Sequence, residues 1–243
     1  MKRNKIWVLW LTSLISLLLV FPYMLEYIDK AFGLENIPTS RSTFLLVVFI
    51  QTAVYLAIAC FAGSWFISKA GNSLSFRISG KHSLLSILLG ITVGLSILLI
   101  DYFFHIEKVK PTFFSIEPVT IWKGFLAAFY GGITEEILLR YFVVSMIVFI
   151  IIKLKKETNE RTVRSAFLVA IILGALLFAV GHLPIIAMDT SLSFLIVLRV
   201  ILVNSIGGLV FGLIYWKWGL PCAMISHFSA DLILLVVFPL MNV

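Results

Sequence analysis

Six side chains able to hold a charge or move a proton recur at helical spacing inside stretches that are otherwise Ile, Leu, Val and Phe. "GGITEEILLRYF", residues 131–142, carries Glu135, Glu136 and Arg140. "FAVGHLP" places His182 four residues after Phe178 and just before Pro184, and "ISHFSADLI" places Asp231 four residues after His227. Glu136 and Arg140 are i,i+4 and can pair on one helix face. Glu135 points about 100° away and has no local partner, so it needs a cavity, a group on another helix, or a proton. A carboxylate that takes a proton from water and an imidazole that passes it on form a general acid–base pair. A second histidine and a further polar group would stabilise the oxyanion of a tetrahedral intermediate. The same set could instead hold zinc, because two histidines and a carboxylate leave one position open for water. Either arrangement is hydrolytic. One buried histidine alone is commonly a satisfied core residue; two, with three carboxylates on three apolar segments, are harder to dismiss. His82 and His105 fall in or beside loops and carry no such signal.

The solvent decides how much weight these charges bear. The chain has 243 residues, 61% hydrophobic and 13% charged, with a mean hydropathy of +1.09. Soluble domains are about a quarter charged, so the bilayer is the expected surroundings. A charge deep in a membrane helix costs roughly 2.5–3.5 kcal/mol, and Glu135, Glu136 and Arg140 unpaired would cost roughly 8–10 kcal/mol. That is comparable to a protein's whole stability. Intramembrane acids are therefore read as functional.

Apolar runs long enough to span the bilayer, roughly 20 residues, occur at about 6–25, 43–67, 83–100, 119–152, 166–186, 192–215 and 220–240. The expectation is an all-α, polytopic membrane protein with about seven transmembrane helices and a single membrane domain over 1–243. "MKRNK" looks like the basic start of a signal peptide, but the run after it is long and no A-x-A-like site precedes "EYIDK", which predicts an uncleaved helix. The stretch 119–152 would run about 50 Å as one helix against a core of about 30 Å. Gly131-Gly132 is the natural break, predicting a broken or re-entrant segment near residues 119–132.

The net charge of +7 is confined to alternate loops. Lys2, Arg3, Lys5, Lys69, Arg77, Lys81, Lys153, Lys155, Lys156, Arg161, Arg164 and Lys217 fall on one side; Glu26, Asp29, Glu35, Asp101, Glu107, Glu117 and Asp189 fall on the other. The positive-inside rule places the N-terminus in the cytoplasm and the C-terminus outside. Basic loops of this kind also meet anionic membrane lipid, and nucleic acid is not needed to explain them. Cys60 and Cys222 sit in apolar stretches with no CxxC or Cys/His cluster around them.

Other intramembrane hydrolases are excluded by their motifs. The sequence has no HExxH zinc helix, no GxGD and no GxSG, and Ser226 beside His227 faces away from it. Glu135-Glu136-x-x-x-Arg140, Phe178-x-x-x-His182 and His227-x-x-x-Asp231, in that order and in separate spans, resemble the three motifs of the CAAX protease and bacteriocin-processing family, the Rce1-like or Abi intramembrane proteases. The resemblance covers roughly residues 119–240 as a catalytic core, with 1–118 as additional N-terminal helices. It implies a protease cleaving near a substrate's C-terminus or within a peptide precursor. By position, Glu135 is the water-activating residue and His182 its partner. His227 and Asp231 form the oxyanion side, with Glu136 and Arg140 as a structural pair and Phe178 as the motif aromatic. Family members are often labelled metalloproteases, and a metal-free mechanism is the expectation here; with zinc, the candidates are Glu135, His182, His227 and Asp231. The family often has Asn where this chain has Asp231. An ionised Asp accepts hydrogen bonds but cannot donate them.

Counting from helix ends puts His182 toward the outer side and His227 in the cytoplasmic half, so the two meet only if a span is broken, tilted or short. The leading expectation is a glutamate-dependent endopeptidase acting on a peptide or lipidated protein. The competing ones are a non-catalytic membrane binder, such as a bacteriocin-immunity factor, and a proton-coupled transporter. A transporter would favour inverted repeats, and none is visible.

Overall fold

The computed structural model describes residues 3–32, 39–70, 79–110 and 120–241. Among these residues all regular structure is helical: α1 (Arg3–Phe32), α2 (Arg41–Lys69), α3 (Gly80–Ile106), α4 (Ile121–Lys155), α5 (Glu160–Gly181), α6 (Leu183–Asp189), α7 (Phe194–Trp218) and α8 (Leu220–Met241). Seven helical segments are long and apolar enough to cross a membrane, α5 and most of the short α6 together forming one of them. The chain is a multi-pass membrane protein. Lys2, Glu35, Arg77 and Glu117 lie outside the described residues.

The helices start where their caps allow. Ser40, Asn159 and Ser193 accept hydrogen bonds from the backbone N–H three residues on, opening α2, α5 and α7. Pro184 and Pro221 sit in the first turns of α6 and α8, where a missing N–H costs nothing. Outward faces are apolar and exposed, as along α3 at Leu84, Leu88, Leu95 and Leu99. In water such a face would be an aggregation site; in a bilayer it meets acyl chains. Inside, small residues set the helix spacing. A Cβ on Gly90 of α3 would overlap the Ser226 backbone of α8, and one on Gly208 of α7 would lie 2.7 Å from Ala175 of α5.

The interruption expected near residues 119–132 is a change of winding rather than a break or a re-entrant turn; residue 119 itself is not among those described. From Ile121 to Lys155 the chain stays helical, widening to π-turns over Tyr130–Glu135 and Ile137–Val144. Gly132 is packed against Phe228 and the Met224 carbonyl of α8. A backbone enclosed in this way has few partners beyond its own helix. A π-turn absorbs the irregularity while keeping a hydrogen-bond ladder, and such turns are frequent at functional sites.

The helix ends are not level, which accounts for part of the depth mismatch between the two histidines. Ala175 of α5 lies beside Gly208 of α7. From that level α5 runs 15 residues back to Glu160, about 22 Å, whereas α7 runs only 10 residues on to Trp218, about 15 Å. The first turns of α5, with Glu160, Arg161 and Arg164 exposed, therefore project about 7 Å beyond the α7–α8 turn. That turn is a single Gly219 at φ 92°, a left-handed conformation that favours glycine. Because α8 starts deeper than α5, His227 lies deeper than its position in α8 suggests.

Candidate active site

The π-wound part of α4 presents Glu135 and Glu136 to different surroundings. Glu136 is fully buried; its Oε1 forms an ion pair with Arg140 Nη1 at 2.8 Å and accepts from His227 Nδ1 at 2.8 Å. Arg140 also donates to the Gly208 carbonyl at 3.4 Å. Its guanidinium carbon lies 5.0 Å from the Phe178 ring centroid and 5.5 Å from that of Phe211. The charge expected to be costly here is thus paired with a carboxylate and enclosed by two aromatic rings.

Glu135 is partly open, with 23% of its side chain exposed. Its Oε2 lies 3.8 Å from His227 Nε2, and Asp231 Oδ1 lies 3.7 Å from the same nitrogen. Both separations exceed hydrogen-bond length and suit a bridging water. With a carboxylate accepting at Nδ1, His227 carries its proton there when neutral, leaving Nε2 toward Glu135 and Asp231. Phe211 stacks on the imidazole at 4.6 Å and Phe178 meets it edge-on at 5.8 Å, so the ring is held on both sides.

His182 ends α5. Its Nδ1 donates to the Phe178 carbonyl at 2.8 Å, and its ring meets that of Phe178 at 4.7 Å. Among the described residues no hydrogen bond or ion pair joins it to Glu135. Nevertheless His182, Glu135, His227 and Asp231 line one cavity of about 470 Å³. The structure therefore brings three of the expected residues close together and places the fourth on the same cavity, with Phe178 touching both histidines.

Two contacts lay beyond sequence reasoning. One is the bond from Glu136 to His227; the motif spacing marked Glu136 only as a partner for Arg140. The other is Phe211, one Phe among many in an apolar helix. Neither has a local signal. As placed, the described residues contain no group of three or more His, Cys, Asp or Glu side chains arranged to hold a metal ion.

Residues 117–233 match the family model for Type II CAAX prenyl endopeptidase Rce1-like proteins. No curated protein and no solved structure matched the chain. The matched stretch contains Glu135, Glu136, Arg140, Phe178, His182, His227 and Asp231, the side chains that converge from α4, α5 and α8. It points to a protease whose substrate is a membrane-associated peptide or protein. Over residues 117–233, just under half of its length, the chain is similar to the Rce1-like, CAAX protease and bacteriocin-processing family.

Proposed function

We propose that the chain is a glutamate-dependent intramembrane endopeptidase that uses an activated water. The supporting observation is the pairing of a cavity-exposed Glu135 with a fixed His227, whose Nε2 lies 3.8 Å away while Nδ1 is held by Glu136. A water between Glu135 and Nε2 gives its proton to the Glu135 carboxylate as its oxygen attacks the peptide carbonyl carbon. The oxyanion that forms is met by His227 in its doubly protonated form, whose Nε2–H donates, and by Asp231 as a neutral acid, because an ionised Asp cannot donate. Glu135 returns the proton to the departing amine as the C–N bond breaks, with His182 as a second proton carrier at the cavity wall. No metal is required on this reading. Zinc on Glu135, His182, His227 and Asp231 would need these side chains to close further.

The orientation belongs to the same proposal. Seven crossings put Arg3, Lys69, Lys81, Lys155, Arg164 and Lys217 at helix ends sharing one face, which by loop charge is cytoplasmic. The test is comparative peptidomics of membranes carrying the wild-type chain or Glu135→Gln. Peptides released by the wild type alone identify substrate and activity together; identical peptide sets in both membranes refute the enzyme.

A further inference from the structure

The cavity lies mostly in one half of the bilayer-spanning bundle, with its floor at Phe211 and His227. It is lined at positions 17–27 of α1, 48–52 of α2, 127–135 of α4, 178–186 of α5 and α6, 199–211 of α7 and 227–235 of α8. Chain direction alternates from span to span, so with Ile97 of α3 these positions fall toward the ends of α1, α3 and α5 and the beginnings of α2 and α4, while those of α7 and α8 extend to mid-helix and beyond, down to His227. The opposite half is filled. There Leu56, Cys60, Tyr141, Val148, Phe167 and Tyr215 form one buried cluster with almost no exposed surface. Beyond that plug lie the basic helix ends, with Trp218 at the α7–α8 turn stacked on His82 at 5.1 Å.

Sealing and charge thus coincide. The filled half carries most of the basic residues, and the hollow half carries Glu26, Asp101 and Glu107 beside Arg41, Lys108, Lys110 and Lys123, so that its charges nearly balance. The hollow wall is mostly apolar, at Leu17, Val20, Val48, Ile97, Val203 and Leu234, with Arg199 as a charge held by Asp101. We infer that the site receives its substrate from the extracytoplasmic side, as an apolar peptide segment at the outer leaflet, and not as a prenylated C-terminus presented from the cytosol. The word substrate rests on the protease reading; the direction of access does not. Among the described residues, a cytosolic C-terminus would have to cross the packed cluster to reach Glu135, whereas a segment from the outer side meets the cavity lining before any of that cluster.

Single cysteines test this in a chain whose two buried thiols are removed as Cys60→Ala and Cys222→Ala. Val20→Cys and Val203→Cys probe the cavity, and Glu107→Cys and Lys155→Cys mark the two faces. A small, charged, membrane-impermeant methanethiosulfonate is added to intact cells and, separately, to inside-out vesicles. The expected result is modification of positions 20, 203 and 107 in intact cells, and of position 155 only in the vesicles. Cavity cysteines that react only from the face of position 155 overturn the inference, as does a cavity that reacts from neither face. Modification of position 155 rather than 107 in intact cells also overturns it, by making the hollow half cytoplasmic. Labelling needs no catalysis, so Glu135→Gln should label identically. A chain that labels as expected but shows no Glu135-dependent cleavage loses the protease reading alone.

Discussion

Glu136 holds His227 across 91 residues of sequence, accepting from Nδ1 at 2.8 Å through the same oxygen that binds Arg140. One buried carboxylate thereby performs two tasks, neutralising a membrane-embedded guanidinium and fixing the tautomer and orientation of an imidazole. The neighbouring Glu135, turned into the cavity, is free of both tasks. On the proposed mechanism, adjacent residues of the same type are divided between structure and chemistry by the direction in which they point.

The two glutamates should accordingly fail in different ways. Glu135→Gln removes a base from a partly open position, so cleavage should fall by about 10²–10⁴-fold, the range of general-base catalysis, with membrane abundance unchanged. Glu136→Gln leaves Arg140 without its charge partner, a loss of about 3–5 kcal/mol for a broken buried pair, and abundance should fall together with activity. Quantitative immunoblotting beside a cleavage assay separates the two. Equal abundance and equal activity in both variants would refute the division of roles.

Gly131 and Gly132 should also separate packing from chemistry. A methyl group on Gly131 would overlap the Asp231 carboxylate and approach His227 Nε2 to 3.2 Å. Asp231 is the end of a side chain and can rotate away, so Gly131→Ala should stay abundant but lose most of its cleavage. On Gly132 the methyl would meet Phe228 Cβ at 2.8 Å and the Met224 carbonyl at 3.0 Å. Backbone yields less readily, so Gly132→Ala should lower abundance. A fully active Gly131→Ala protein would show that Asp231 has no position to defend.

The membrane spans and the three motif pairs were legible because both are local. Hydropathy is a property of consecutive residues, and Phe178 with His182, or His227 with Asp231, share a face at i,i+4. The π-turns of α4 were not legible. Gly131-Gly132 suggests weakness, yet whether a weak point breaks or widens depends on the helix packed against it, here α8 through Phe228. Depth was misjudged in part for a related reason. Counting from helix ends assumes that the ends are level, and the register that shows otherwise, Gly208 on Ala175, is a contact between distant segments.

His182 should behave as a site residue despite its distance from Glu135. Among the described residues its side chain bonds only to the Phe178 carbonyl, one turn back in the chain, and it is half-buried at a helix end. His182→Ala should therefore leave abundance intact and lower cleavage by at least tenfold. Cleavage at the wild-type rate, measured at several pH values, would make it a wall residue only.

Asp231 decides between metal and oxyanion chemistry. As a zinc ligand it would supply an anionic oxygen about 2.0–2.2 Å from the ion, and Asn would be a much poorer substitute. As a group that meets an oxyanion or steadies His227 Nε2, its oxygen lying 3.7 Å from that nitrogen, a neutral side chain of the same shape suffices, and Asn adds two N–H donors. Asp231→Asn is therefore expected to keep substantial activity, within about tenfold of wild type, whereas Asp231→Leu, which offers no polar atom, is expected to lose it. Purified protein should also cleave after exhaustive chelation. Zinc bound one per wild-type chain and absent from an inactive Asp231→Asn protein would establish the opposite, because metal and activity would then have left together with a single oxygen.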